Sequence, residues 1–249
     1  MLCPVLVGRS EQLRLLAAVV ADARDQRGTW VTVAGEAGVG KTRLVAEAVD
    51  RSGSGGTPVL MGRCSAVDRS TPYRPLAECL IAAVRARPRP DSDPAIVPYV
   101  PVVARFVPHW RHETSPATVE SPAVVGESLL RVLGWLNEGG HALLVLEDLQ
   151  WADPDTLAVC DYLIDHLGST SLAVIATVRS VGTTADVSMM LRRTPHVQLG
   201  PLTDEEVLEL ATACLGRSPS RETMAHLHHT AGGLPLLVED LLDDPGSSA

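Results

Sequence analysis

The residues GEAGVGKT, Gly35 to Thr42, decide how this chain is read. They fill the pattern Gly-x-x-x-x-Gly-Lys-Ser/Thr at every fixed position, and their flanks supply the context that the pattern needs. Upstream, WVTVA (Trp30 to Ala34) is short, β-rich and followed at once by glycine, which reads as a strand. Downstream, Thr42 to Asp50 carries Leu44, Val45 and Ala48 at helical spacing. Strand, glycine-rich turn and helix make a P-loop. Gly35, Gly38 and Gly40 let the backbone N–H groups of the stretch that also holds Glu36, Ala37 and Val39 turn toward phosphate oxygens, and the helix offers its positive dipole end to the same anion. Lys41 is expected to reach the β and γ phosphates of a nucleoside triphosphate, the Thr42 hydroxyl to bind Mg²⁺, and Arg43 to stand in the first helical turn beside them. A glycine-rich turn that merely precedes Lys-Thr would share the eight residues; the strand and helix on either side count against it.

Lys41 is the one lysine among 21 lysines and arginines. Arginine serves everywhere a generic positive charge suffices, whereas a planar fork cannot replace a compact ammonium inside a phosphate loop. The 249 residues, 45% of them hydrophobic, fit one large α/β domain or one domain plus a small appendage. A net charge of −9 leaves no basic footprint, so no direct nucleic-acid or anionic-membrane contact is expected from this segment. No stretch approaches the ~20 apolar residues of a membrane span, and no leader pattern opens the chain. Five widely spaced cysteines, without a Cys-x-x-Cys pair, fit a reducing cytoplasm and no metal site made by protein side chains alone.

Outward from the P-loop the pattern alternates. A helix over Glu11 to Ala23, with Ser10 as its N-cap, precedes the first strand; Pro58 to Arg63 reads as a second strand after the turn SGSGG, and Pro75 to Ala86 as a helix. Residues 85–122 are rich in proline and read as an insertion of irregular or short helical structure. Then come a helix (Ala123 to Asn137), the apolar strand Ala142 to Leu146, a helix (Pro154 to Leu167), the strand Leu172 to Val178 and a short strand at Val197 to Leu199. Strands alternating with helices imply a parallel sheet covered on both faces. After Pro201 only helices follow, capped by Thr203 and Ser220, with a polar tail from Asp243. The expected division is a core over residues 1–200 and a partial helical lid over 201–249.

The strand Ala142 to Leu146 ends in two acids, the form of a Walker B element. Glu147 is expected to hold Mg²⁺ through water and Asp148 to orient or deprotonate the attacking water, each also a candidate metal ligand with Thr42. Two solvated acids at a strand end would be the better reading without a P-loop upstream. Arg179 closes the next strand near Thr177, where a polar group would face the γ-phosphate; a sensor and a solvated strand-end arginine weigh equally on spacing alone. Gly8 and Arg9 could approach the base or form a plain turn, and Gly233 to Pro235 could do no more than separate two helices.

Together LVGRSEQLRLL, GEAGVGKTRLV, LLVLEDLQWADP, IATVRS and GGLPLLVEDLL resemble the nucleotide-binding domain of signal-transduction ATPases with numerous domains (the STAND class). Within it the chain looks most like the N-terminal ATPase module of large LuxR-type transcriptional regulators. The resemblance implies a five-stranded P-loop NTPase sheet in the order 5-1-4-3-2. It also implies Gly8 and Arg9 beside adenine, Arg179 as a sensor arginine, and Pro235 of Gly-x-Pro near the base. Its ligands would be ATP or ADP with Mg²⁺, and it would switch between a closed ADP form and an open form that self-associates. The acid pair reads Glu-Asp where Asp-Asp or Asp-Glu is commoner in the class, which bears on hydrolysis more than on binding. DNA binding is expected from a C-terminal domain beyond these residues. The competing functions are a stand-alone small-molecule kinase whose acceptor would lie in the proline-rich insertion, and a scaffold that holds nucleotide without hydrolysing it.

Overall fold

The three central strands of the sheet are buried along almost their whole length, so their two side-chain rows must both find cover, and the sequence supplies it by alternating strand and helix. In the computed structural model, which describes residues 3, 5–53, 57–69, 71–85, 87–111, 121–137 and 140–243, β1 (Thr29–Gly35), β2 (Val59–Arg63), β3 (Ala142–Glu147), β4 (Leu172–Arg179) and β5 (His196–Leu199) form one parallel sheet in the order β2-β3-β4-β1-β5. Read from the β5 edge this is the order that the resemblance implies.

Period-two alternation sorts the core into two layers. Val31 and Val33 of β1, Leu143 and Val145 of β3, and Ala173 and Ile175 of β4 face α1 (Ser10–Arg24) and α2 (Lys41–Gly53), meeting Leu16, Val20 and Leu44. Leu144, Leu146, Val174 and Ala176 face the other way. There they meet α3 (Arg74–Val84), α5 (Pro122–Leu136) and α6 (Pro154–His166) through Leu80, Leu133 and Leu163. Among its described residues the proline-rich stretch forms a short helix, α4 (Val100–Val103), and a 3-10 turn at Pro108–Trp110. It nevertheless packs into this second layer: Val100, Val103, Val107 and Trp110 are all buried there.

One cap differs from expectation. Ser10 is the first residue of α1 and Arg9 takes the N-cap position without a side-chain cap bond, because a guanidinium has only donors and cannot accept a helix N–H. The tip of SGSGG (54–56), residues 112–120 of the proline-rich stretch and the tail 244–249 lie outside the described residues.

Beyond α7 (Ala185–Arg193) and β5 the chain forms α8 (Asp204–Leu215), α9 (Arg221–Ala231) and α10 (Pro235–Asp243) around a separate apolar cluster that includes Leu202, Val207, Leu210, Leu227 and Val238, joined by Cys3 and Val7. Thr203 and Glu206 make a reciprocal capping box at the start of α8. Gly233 is the tight point of this unit: its φ is +75°, and a Cβ there would lie 2.5 Å from the Leu202 carbonyl oxygen. That carbonyl cannot withdraw easily, because the Leu202 N–H donates to the Gly233 carbonyl at 2.8 Å. Gly233→Ala is therefore expected to cost at least about 2 kcal/mol, lowering the melting temperature by about 5 °C. A thermal melt within 1–2 °C of wild type, on the same scale, would contradict this packing.

Candidate functional site

The register of the sheet decides where the chemistry meets. Gly35 at the end of β1 lies opposite Arg179 at the end of β4, and Arg63 at the end of β2 lies opposite Glu147 at the end of β3. Four strands thus deliver the P-loop, two arginines and the acid pair to one edge. There all but Glu147 border a cavity of about 600 Å³, open to solvent on one side and roofed by the start of α10 (Pro235–Asp243).

The P-loop occupies the turn from β1 to α2. Gly38 and Gly40 have φ of +78° and +97°, values that a side chain at those positions would resist, and they let the loop wrap concave toward the cavity. Ala37 to Arg43 line the cavity; Gly35 is buried beneath it and Glu36 is exposed outside it. Lys41 opens α2, only 9% exposed, and its Nζ donates to the carbonyls of Gly35 (2.9 Å) and Glu36 (2.7 Å). Burial lowers the pKa of this ammonium; the nearby Asp148 carboxylate opposes that and Arg179 adds to it. The Thr42 hydroxyl group lies on an exposed residue facing the cavity, open to a ligand.

The two acids are held differently. Glu147 is 7% exposed and does not line the cavity; its Oε1 is buried with no hydrogen-bond partner, while Oε2 lies 4.0 Å from Arg63. A carboxylate oxygen orphaned in this way lacks a cation or a proton donor. Asp148 lines the cavity in a left-handed conformation, φ +59°. Its N–H donates to Thr177 Oγ1 at 2.9 Å, its Oδ1 accepts from Gln150 Nε2 at 3.0 Å, and its Oδ2 lies 3.3 Å from Arg63 Nη2. Such strain in a non-glycine residue persists only where the surroundings hold it, and three contacts do so here.

Thr177, near Arg179 on the same strand, is 1% exposed and its hydroxyl oxygen accepts the Asp148 N–H, so it orients the acid and does not line the cavity. Arg179 does line the cavity; its guanidinium stands 5.7 Å above the Trp151 ring, which Arg69 approaches at 5.8 Å. Gln150 ties the two strand ends together, donating to Asp148 and accepting the Arg179 N–H at 3.0 Å.

Arg9 enters from the other side, 7% exposed, donating to the Gly200 carbonyl at 2.6 Å and to that of Val39 at 3.5 Å. Burial lowers its pKa, against the pull of Glu206. Gly8 does not line the cavity; its neighbours Val5, Leu6 and Val7 do, and with Leu202 and Leu210 they make an apolar end suited to a flat heterocycle. Pro235 and Leu236 close the roof: the Leu236 N–H donates to the Gly38 carbonyl at 3.2 Å, so α10 begins on the P-loop itself. Arg43 reaches the Cys3 carbonyl, and the Cys3 N–H donates to Glu239 of α10 at 3.3 Å.

Sequence reasoning did not identify Arg63, Gln150 or Leu236 as site residues. Arg63 and Gln150 stood at strand ends in view, yet only the β2-β3 register and the turn after Asp148 bring them to the acids.

These parts fit a nucleotide with a divalent ion: a glycine cradle, a buried lysine, an open hydroxyl and a carboxylate oxygen lacking a partner. Among the described residues no cluster of three or more His, Cys, Asp or Glu side chains could hold a metal by itself. No helix among them is long and apolar enough to cross a membrane.

The chain is similar in fold to the Walker-type ATPase PABY2304 of Pyrococcus abyssi (TM-score 0.60, 14% identity, covering 94% of this chain and 66% of that one). It is similar also to the Aeropyrum pernix ORC1 protein, solved in complex with DNA (TM-score 0.60, 20% identity, covering 96% and 59%). It thus spans about two thirds or less of the length of these solved relatives. No curated protein sequence matches it. A sequence profile of the AAA ATPase domain matches residues 5–175, from the segment before Arg9 through the P-loop and the acid pair into β4, and the chain belongs to that family of ATPase domains.

Proposed function

We propose that this domain is a regulatory ATP switch: it binds ATP or ADP with Mg²⁺, hydrolyses ATP slowly, and belongs to a STAND-class, LuxR-type transcriptional regulator whose other domains lie beyond these residues. The observation that carries the switch is the Leu236 N–H to Gly38 carbonyl bond, with Pro235 beside it over the cavity. A lid helix that starts on the phosphate loop is moved by whatever displaces that loop.

In this reading the P-loop amides and Lys41 would bind the phosphates, and Arg9 and the Val5–Val7 segment would border the base. Thr42, Glu147 and Asp148 would hold the ion. Mg²⁺, when bound, supplies neutralisation of phosphate charge. Asp148, fixed by Gln150 and Thr177, would orient the attacking water and take its proton, and Arg179 would leave Trp151 to meet the terminal phosphate. Self-association would follow ATP binding, as α10 leaves the loop.

The kinase reading placed its acceptor in the proline-rich stretch. Among the described residues of that stretch none lines the nucleotide cavity, and Val100, Val103 and Trp110 are committed to the core, which favours the switch. Two measurements test it. Without any acceptor, the purified chain is expected to release phosphate steadily at well under about 1 s⁻¹, below the usual range of turnover. Light scattering should show a monomer with ADP and a larger species with a non-hydrolysable ATP analogue. Phosphate release that appears only when a metabolite is added would favour the kinase, and one mass under both nucleotides would remove self-association.

A further inference from the structure

We propose that Arg63 competes with the divalent cation for the Glu147 and Asp148 carboxylates and, once displaced, contacts the terminal phosphate; the proposal rests on the reading of the cavity given above. Arg63 is the last residue of β2, in register with Glu147. Its guanidinium lies 3.3 Å from Asp148 Oδ2 and 4.0 Å from Glu147 Oε2, so it touches both acids expected to hold the ion. The other cationic side chains around the cavity are engaged elsewhere: Lys41 on loop carbonyls, Arg9 on Gly200, Arg43 on Cys3, Arg179 over Trp151.

A guanidinium and a dication that lean on the same two carboxylates repel one another, so each weakens the hold of the other. Binding of the ion therefore favours release of Arg63. The arginine is poised for removal: its side chain is 65% exposed, so its ion pairs are solvated and screened. Its Cα stays fixed at the strand end and its side chain lines the cavity, so the released fork remains within the space where phosphate would lie. A planar fork of five donors matches phosphate oxygens in two-point contacts. Arg63 is thus a placeholder for the metal in one state and a phosphate ligand in the next. A merely structural surface pair would change thermal stability slightly and leave metal affinity alone.

The experiment titrates Mn²⁺ into the full chain with ADP, read by electron paramagnetic resonance, alongside single-turnover phosphate release from ATP. Arg63→Ala is expected to bind Mn²⁺ about 3- to 10-fold more tightly, having lost the competing cation, while phosphate release falls at least about tenfold. Arg63→Lys, which keeps the charge without the fork, should hold Mn²⁺ near wild type and release phosphate at an intermediate rate. In an Asp148→Asn background the Arg63→Ala effect on Mn²⁺ should shrink below about twofold, since the contested oxygen charge is gone. Mn²⁺ affinity unchanged or weakened in Arg63→Ala overturns the competition, and unchanged phosphate release overturns the phosphate contact. If Asp148→Asn and Glu147→Gln both leave Mn²⁺ affinity at the wild-type value, the cavity reading itself fails. If they weaken it and Arg63→Ala does not move it, only this proposal fails. Should Arg63→Ala melt low, Arg63→Gln, close in size, takes its place in every arm.

Discussion

Lys41→Arg is expected to come off the column free of nucleotide and to bind ATP at least about 100-fold more weakly, a loss of about 2.7 kcal/mol. The charge is kept, so the prediction concerns shape. Lys41 Nζ lies between two loop carbonyls at 2.9 and 2.7 Å, under a residue surface only 9% exposed, at the base of a loop whose glycines curve around it. A guanidinium is planar, wider and directs five donors outward in a fixed fork, so it cannot enter that cup without spreading the loop. Lys41→Met, similar in length and neutral, separates the two properties; it should also lose nucleotide, through charge. Chromatography of nucleotide released by denaturation, and a fluorescent-nucleotide titration, measure both. Wild-type ATP affinity in Lys41→Arg would overturn the reading of the P-loop.

The acid pair gives the second large effect, and the two acids should part company. Asp148→Asn is expected to lower phosphate release by about 10²- to 10³-fold with nucleotide still retained, the loss typical of removing a general base. Asparagine accepts the left-handed backbone that Asp148 adopts, and its one amide oxygen can still accept from Gln150 while the bond to the exposed Arg63 is lost, so the substitution removes charge with little backbone strain. Glu147→Gln should instead raise the Mg²⁺ needed for half-maximal release by at least about tenfold, because its partnerless buried Oε1 is the oxygen that an ion would satisfy. Phosphate release against Mg²⁺ concentration separates the two. If neither change alters release above background, the domain binds nucleotide without hydrolysing it, and the scaffold reading stands.

The P-loop, the acid pair and the alternation of strand and helix could be read from the chain because each is local. A run of eight residues, a strand ending in acids and a capped helix all declare themselves within a few residues of backbone. The capping box at Thr203 and Glu206 is legible for the same reason. What escaped the sequence depended on pairing across long separations. Nothing local marks Thr177 as the group that holds the second acid; the β3-β4 contact turns its hydroxyl to the Asp148 N–H. The proline-rich stretch was read as an insertion, yet Val103, Val107 and Trp110 fill a core layer that no periodicity announced.

By itself, then, the sequence determined that a phosphate loop built on Lys41 opens a parallel α/β domain, and that a Glu-Asp pair ends a neighbouring buried strand. Only the tertiary structure decided who shares the edge with them. Strand register is set by which side-chain rows bury together, a property of the whole sheet and of no single segment. That register puts Arg63 against both acids and Arg179 beside the loop, and the packing of three lid helices sets Leu236 on Gly38.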